Sequence, residues 1–83
     1  PYMSLATLFK DLNDLPNVLK VYQAYVKISS VFEIWYDMME IAWTLHEYEI
    51  GLEAVTRCLV FQFSTYLLSK KILFYLLLGK NKM

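Results

Sequence analysis

The sequence predicts an all-α fold in which antiparallel helix pairs stack as about two and a half helical repeats, an irregular four- or five-helix bundle being the alternative. Three observations lead there. Only two glycines and two prolines interrupt the 83 residues, and apolar positions recur at spacings of three and four. A short phrase returns every 33 residues, as Leu12-Asn13-Asp14, Leu45-His46-Glu47 and Leu78-Gly79-Lys80. Apolar character returns in the same phase, pairing Leu5 with Met38, Leu8 with Ile41, Leu15 with Tyr48, Leu19 with Leu52, Tyr22 with Val55 and Val26 with Leu59. One helical domain, 1–83, is expected, with units of about 1–30, 31–62 and 63–83.

The first helix is expected over residues 4–12, with Leu5, Leu8, Phe9 and Leu12 on one stripe. Asp14 stands where it can cap the second helix, and Pro16 sits in that helix's first turn, where a missing N–H costs nothing. The second helix, 15–28, turns Val18, Leu19, Tyr22, Tyr25 and Val26 inward and stops near Ser29 and Ser30. Ser30 and Glu33 form an S-x-x-E pattern, which predicts a capping box at the start of the third helix. That helix runs to about His46, and Glu47 takes the place of Asp14 at the positive end of the fourth. There Glu53 and Arg57 are spaced as an i,i+4 pair, worth about 0.3 to 0.5 kcal/mol. Residues 59–78 contain no Gly or Pro, but the repeat phase predicts a break near 62–64 and a fifth helix closed by Gly79 as a left-handed cap.

The stretch 34–60, IWYDMMEIAWTLHEYEIGLEAVTRCLV, resembles a tetratricopeptide repeat. Trp35 stands at its start, Met38 in the leucine place, and Leu45 and Tyr48 flank the turn. Gly51 and Cys58 fall where that family wants small residues, and Val55 where it wants a bulky one. The first unit follows through Tyr2, Leu5, Ala6, Phe9, Leu12, Leu15, Val18, Tyr22 and Tyr25. The third covers one helix. The chain departs from the pattern at Met39, large where glycine or alanine is preferred, at Ala42, where tyrosine is preferred, and in lacking the closing proline. The resemblance implies a groove lined by first-helix residues that binds a peptide or partner helix. Here that face is Glu33, Tyr36, Glu40 and Trp43, extended through Met3, Thr7 and Lys10. Aromatics interleaved with carboxylates suit a basic or amphipathic segment; the competing reading packs Tyr36 and Trp43 into the core. Trp43→Ala separates the two, weakening binding in one case and unfolding the chain in the other.

Composition points the same way. With 58 % hydrophobic and 17 % aromatic residues, the chain offers more apolar surface than a lone domain of this size easily hides. The surplus predicts burial against further repeats, a partner chain or lipid, and the assembly edge Ile72, Leu73, Leu76 and Leu77 is expected to pair with a further repeat, a second copy or a partner subunit. Net charge is zero, so nucleic acid is not implied. Acids (Glu33, Asp37, Glu40, Glu47, Glu49, Glu53) fill the middle, and bases (Arg57, Lys70, Lys71, Lys80, Lys82) follow. Lys70 and Lys71 beside Tyr66 and Tyr75 are a weak nucleic-acid footprint.

No catalytic, cofactor or metal signature is found. His46-Glu47 opens like H-E-x-x-H, but Ile50 stands where the second histidine belongs, and one His with one Cys makes no zinc set. Cys58 is the only cysteine, which excludes an internal disulfide and leads to the expectation of a reducing, intracellular setting. No signal-peptide pattern is visible, and a start at Pro1 is expected of a processed product or a piece of something longer. The alternative function is a small membrane-associated subunit using residues 59–78, whose 20-residue length fits a bilayer. There Lys70 and Lys71 would cost about 2.5 to 3.5 kcal/mol each against the gain from its apolar residues.

Overall fold

The computed structural model describes residues 2–82, with side chains over 3–79. Pro1 and Met83, which begin the first and end the third predicted unit, lie outside the described residues, as do the side chains of Tyr2, Lys80 and Lys82. Five helices are present: α1 (Tyr2–Asp11), α2 (Leu15–Tyr25), α3 (Phe32–Leu45), α4 (Tyr48–Phe61) and α5 (Thr65–Lys82). Each packs on the next in chain order. The result is elongated, with extents of 37 × 27 × 19 Å.

The turns explain the order. Asn13 (φ 57°) and His46 (φ 61°) are the two non-glycine residues with left-handed backbone among those described, and they lie 33 positions apart. Around each, the same hydrogen bonds close the helix. Asp14 N–H donates to the Phe9 carbonyl at 2.8 Å and Glu47 N–H to that of Ala42 at 2.9 Å. Asn13 N–H reaches Lys10 and His46 N–H reaches Trp43. This Schellman-type closure satisfies carbonyls that a helix end leaves orphaned. It reverses the chain twice in the same way, so that α2 and α4 begin at Leu15 and Tyr48, again 33 apart.

Three local expectations are corrected. The Ser30–Glu33 capping box does not form: Val31 is the N-cap of α3 and makes no side-chain cap bond. Ser30 Oγ instead accepts the Trp35 indole N–H at 2.7 Å. Trp35 is buried, and a buried indole N–H without a partner costs more than an uncapped, solvated helix end. Asp14 and Glu47 occupy the N-cap positions of α2 and α4 without side-chain cap bonds; the Asp14 carboxylate accepts from Asn17 Nδ2. Gly79 does not end α5, which continues through it to Lys82 with no left-handed glycine. The break at residues 62–64 is where the repeat phase places it, and Ser64 Oγ accepts the Leu67 N–H at 3.5 Å at the start of α5.

The core runs along the stack. Val18, Met39, Ala42, Ala54, Val55, Cys58 and Phe74 are fully buried, joined by Tyr22, Trp35 and Met38. In α1, by contrast, only Ala6 is buried and Phe9 half-buried, while Leu5, Leu8 and Leu12 of the expected inward stripe are exposed. Their echoes Met38 and Ile41 are buried because α3 packs against both α2 and α4, whereas α1 packs closely on α2 alone and reaches α3 through the Lys10 side chain. Gly51 earns its place by contact: the Phe74 ring lies where its Cβ would stand.

Candidate interaction surface

Along one side of the stack the side chains of α1, α3 and α5 meet. Lys10 Nζ donates to Asp37 Oδ2 at 2.7 Å, and Tyr22 Oη donates to the same oxygen at 2.9 Å, so one carboxylate ties three helices together. The Asp37 hydrogen bond holds the Lys10 ammonium above its ordinary pKa, and burial raises the Tyr22 phenol. Between α3 and α5, Tyr66 Oη donates to Glu40 Oε2 at 2.9 Å. Burial together with this bond pushes Tyr66 up to about 12. Trp43 and Phe74 meet edge to face at 5.4 Å, Tyr48 closes on both, and Lys70 Nζ stands 3.7 Å from the Trp43 ring centroid.

The seven residues of the expected groove therefore divide. Glu33, Met3 and Thr7 are exposed. Lys10 is exposed but ion-paired, Tyr36 is half-buried between the Phe32 and Tyr66 rings, Glu40 is bonded to Tyr66, and Trp43 is half-buried against Phe74 and Tyr48. The structure brings Tyr36, Glu40 and Trp43 together with Tyr66, Lys70 and Phe74, which the sequence reading left outside the face. The 33-residue shift carries Glu33 to Tyr66, a signal that was available.

At the end of the stack, Ile72, Leu73 and Leu76 of the expected assembly edge are exposed and Leu77 is half-buried. The exposure of α5 is unusual in kind. Its packed stripe is Leu67, Lys70, Lys71, Phe74, Leu77 and Leu78, whereas its open sides carry Tyr66, Leu68, Ile72, Leu73, Tyr75 and Leu76. The lysines pack because their stems cover apolar surface while the Lys70 charge rests on the Trp43 face.

Chemistry elsewhere is sparse. Cys58 is buried and its thiol is pushed up to about 11 by burial, away from the reactive thiolate. Arg57 lies 5.8 Å from the Trp35 ring centroid rather than in an ion pair with Glu53. Among the described residues no three His, Cys, Asp or Glu side chains converge as a metal ion requires. Nor is any described helix long and apolar enough to cross a membrane, and residues 59–78 are divided between α4 and α5. No protein-family model, curated protein or solved structure matches the chain.

Proposed function

We propose that this chain is a non-catalytic protein-interaction module of the helical-repeat type, similar to tetratricopeptide repeats, that binds a partner helix or assembles into a larger complex through the open end of its stack. The observation that carries the reading is the surface of α5, where Ile72 is 51 % and Tyr75 and Leu76 are each 59 % exposed while two lysines take the packed side. A helix with its hydrocarbon outward is stable in water when something covers it. The repeat character is supported by the two turns at Asn13 and His46, alike in backbone and hydrogen bonding at a spacing of 33. The test is Leu76→Glu. The variant retains the helical circular dichroism of the parent and loses its association, read by size-exclusion chromatography with light scattering. Unchanged association in the variant sinks the proposal.

A further inference from the structure

The grooves of this stack repeat with its helices, and a following helix borders only one of the two. The cleft of about 340 Å³ between α2 and α3 is lined by Pro16, Leu19, Lys20, Gln23 and Leu45, and is bordered by Ile50 of α4 and its N-cap Glu47. Advanced by 33, those five residues become Glu49, Leu52, Glu53, Thr56 and Leu78. All five line a cleft of about 560 Å³ between α4 and α5, with Arg57, Val60 and Tyr75. On α3, Trp35, Met39 and Ala42 are at 5 %, 0 % and 0 % exposure. Their counterparts on α5 are Leu68, Ile72 and Tyr75, at 40 %, 51 % and 59 %. The second groove is thus the first one without its α4.

Charge selects the occupant. The first groove places Lys20 in the same cleft as Glu47, the N-cap of α4, and a neighbouring cleft holds Lys27 and Arg57 with Glu53. In the open groove, Glu53 replaces Lys20 and Glu49 replaces Pro16, while Arg57, one turn further along α4, lies 5.8 Å from the Trp35 ring centroid; the sign is therefore reversed only at the end where a helix laid parallel to α4 would begin. A helix N-terminus is itself positive, and Lys or Arg in its first turns adds to the match.

We infer that the α4/α5 groove binds an amphipathic helix of a partner protein, running parallel to α4, with basic residues in its first turns against Glu49 and Glu53 and an apolar stripe on Leu52, Val60 and Tyr75. This rests on the interaction-module reading and names its site and the chemistry of its partner.

The probe is a fluorescein-labelled peptide copying residues 47–62, the helix that borders the first groove, with E47K, E49K and E53K; the unaltered copy is the control. Fluorescence anisotropy is expected to show saturable binding of the lysine peptide at least ten-fold tighter than the control. In the protein, Tyr75→Glu and Val60→Glu, both at exposed positions, each weaken it ten-fold or more with circular dichroism unchanged. Glu53→Lys reverses the preference between the peptides. Equal binding of the two peptides, or binding indifferent to Tyr75→Glu, overturns the inference. So does a dimer that Tyr75→Glu dissociates, which gives the groove to a second copy. Association that Leu76→Glu abolishes while neither peptide binds refutes this inference and leaves the module reading standing.

Discussion

Replacing Gly51 with alanine sets two effects of opposite sign against each other, and the structure decides between them. Gly51 is inside α4, where alanine is favoured over glycine by about 0.5 to 1 kcal/mol. A Cβ there would lie 3.0 Å from Phe74 Cδ1 and closer still to Cε1 and Cζ. Phe74 is fully buried, with Trp43 edge-on at 5.4 Å and Tyr48 at 6.2 Å, so its ring has nowhere to retreat without opening the α3–α4–α5 junction. Overpacking of this kind costs about 1 to 3 kcal/mol. The expected net is a loss of roughly 1 kcal/mol, a fall in Tm of about 4 to 8 °C for a domain of this size. Gly79→Ala is the control: it is also helical, but nothing lies within 4 Å of its Cβ position. It should raise Tm by a few degrees, whereas a left-handed cap at Gly79 would make the same change destabilising. The assay is thermal and urea unfolding followed by circular dichroism. In a Phe74→Leu background the Gly51→Ala penalty should shrink, a coupling of about 1 kcal/mol. A Gly51→Ala variant as stabilised as Gly79→Ala would refute the packing argument.

Four further outcomes are expected. Cys58, Tyr66 and Lys10 all have pKa values raised by folding, so their contributions are complete below the unfolded values of 9.0, 10.0 and 10.5 and are lost as pH climbs through the folded ones. Melting temperature should fall from about pH 9 upward, and Cys58→Ala should remove the earliest part of that fall, about 2 to 3 kcal/mol; melts of both proteins between pH 8 and 11 check it. Tyr22→Phe, which deletes the part-buried hydroxyl bonded to Asp37, should cost about 0.5 to 1.5 kcal/mol in urea titration and change little with salt. Lys10→Ala, at an exposed pair, should cost no more than about 1 kcal/mol, an effect that fades in high salt. Lys70→Gln should alter tryptophan emission and cost about 0.5 to 1 kcal/mol, because it removes the cation above Trp43; an unchanged spectrum would place that ammonium elsewhere.

The helices and their order were legible because local chemistry and phase agree in this chain. Asn13 tolerates left-handed backbone, Pro16 pre-sets the start of α2, and the phase located the break before Thr65 although no Gly or Pro marks it. Features that depend on neighbours were not legible. Ser30 fits a cap on local rules, and only the arrival of a buried indole N–H reassigns its hydroxyl. Gly79 fits a helix stop on local rules, but α5 continues through it with no left-handed glycine. Leu5, Leu8 and Leu12 follow the core period yet are exposed, since periodicity says which side of a helix is apolar and not whether anything lies against it. The same limit applies to the candidate surface. The excess hydrocarbon of α5 was visible in the sequence, whereas the packed position of Lys70 and the open α4/α5 groove required the helices to be placed.

On the function proposed above, the exposed apolar surface of α5 serves association between protein helices. Sedimentation velocity of the purified chain in detergent-free buffer, over a range of concentrations, tests it most directly. A discrete self-associated species is the predicted result. Polydisperse aggregate that detergent resolves into a single species would contradict it and assign that surface to lipid.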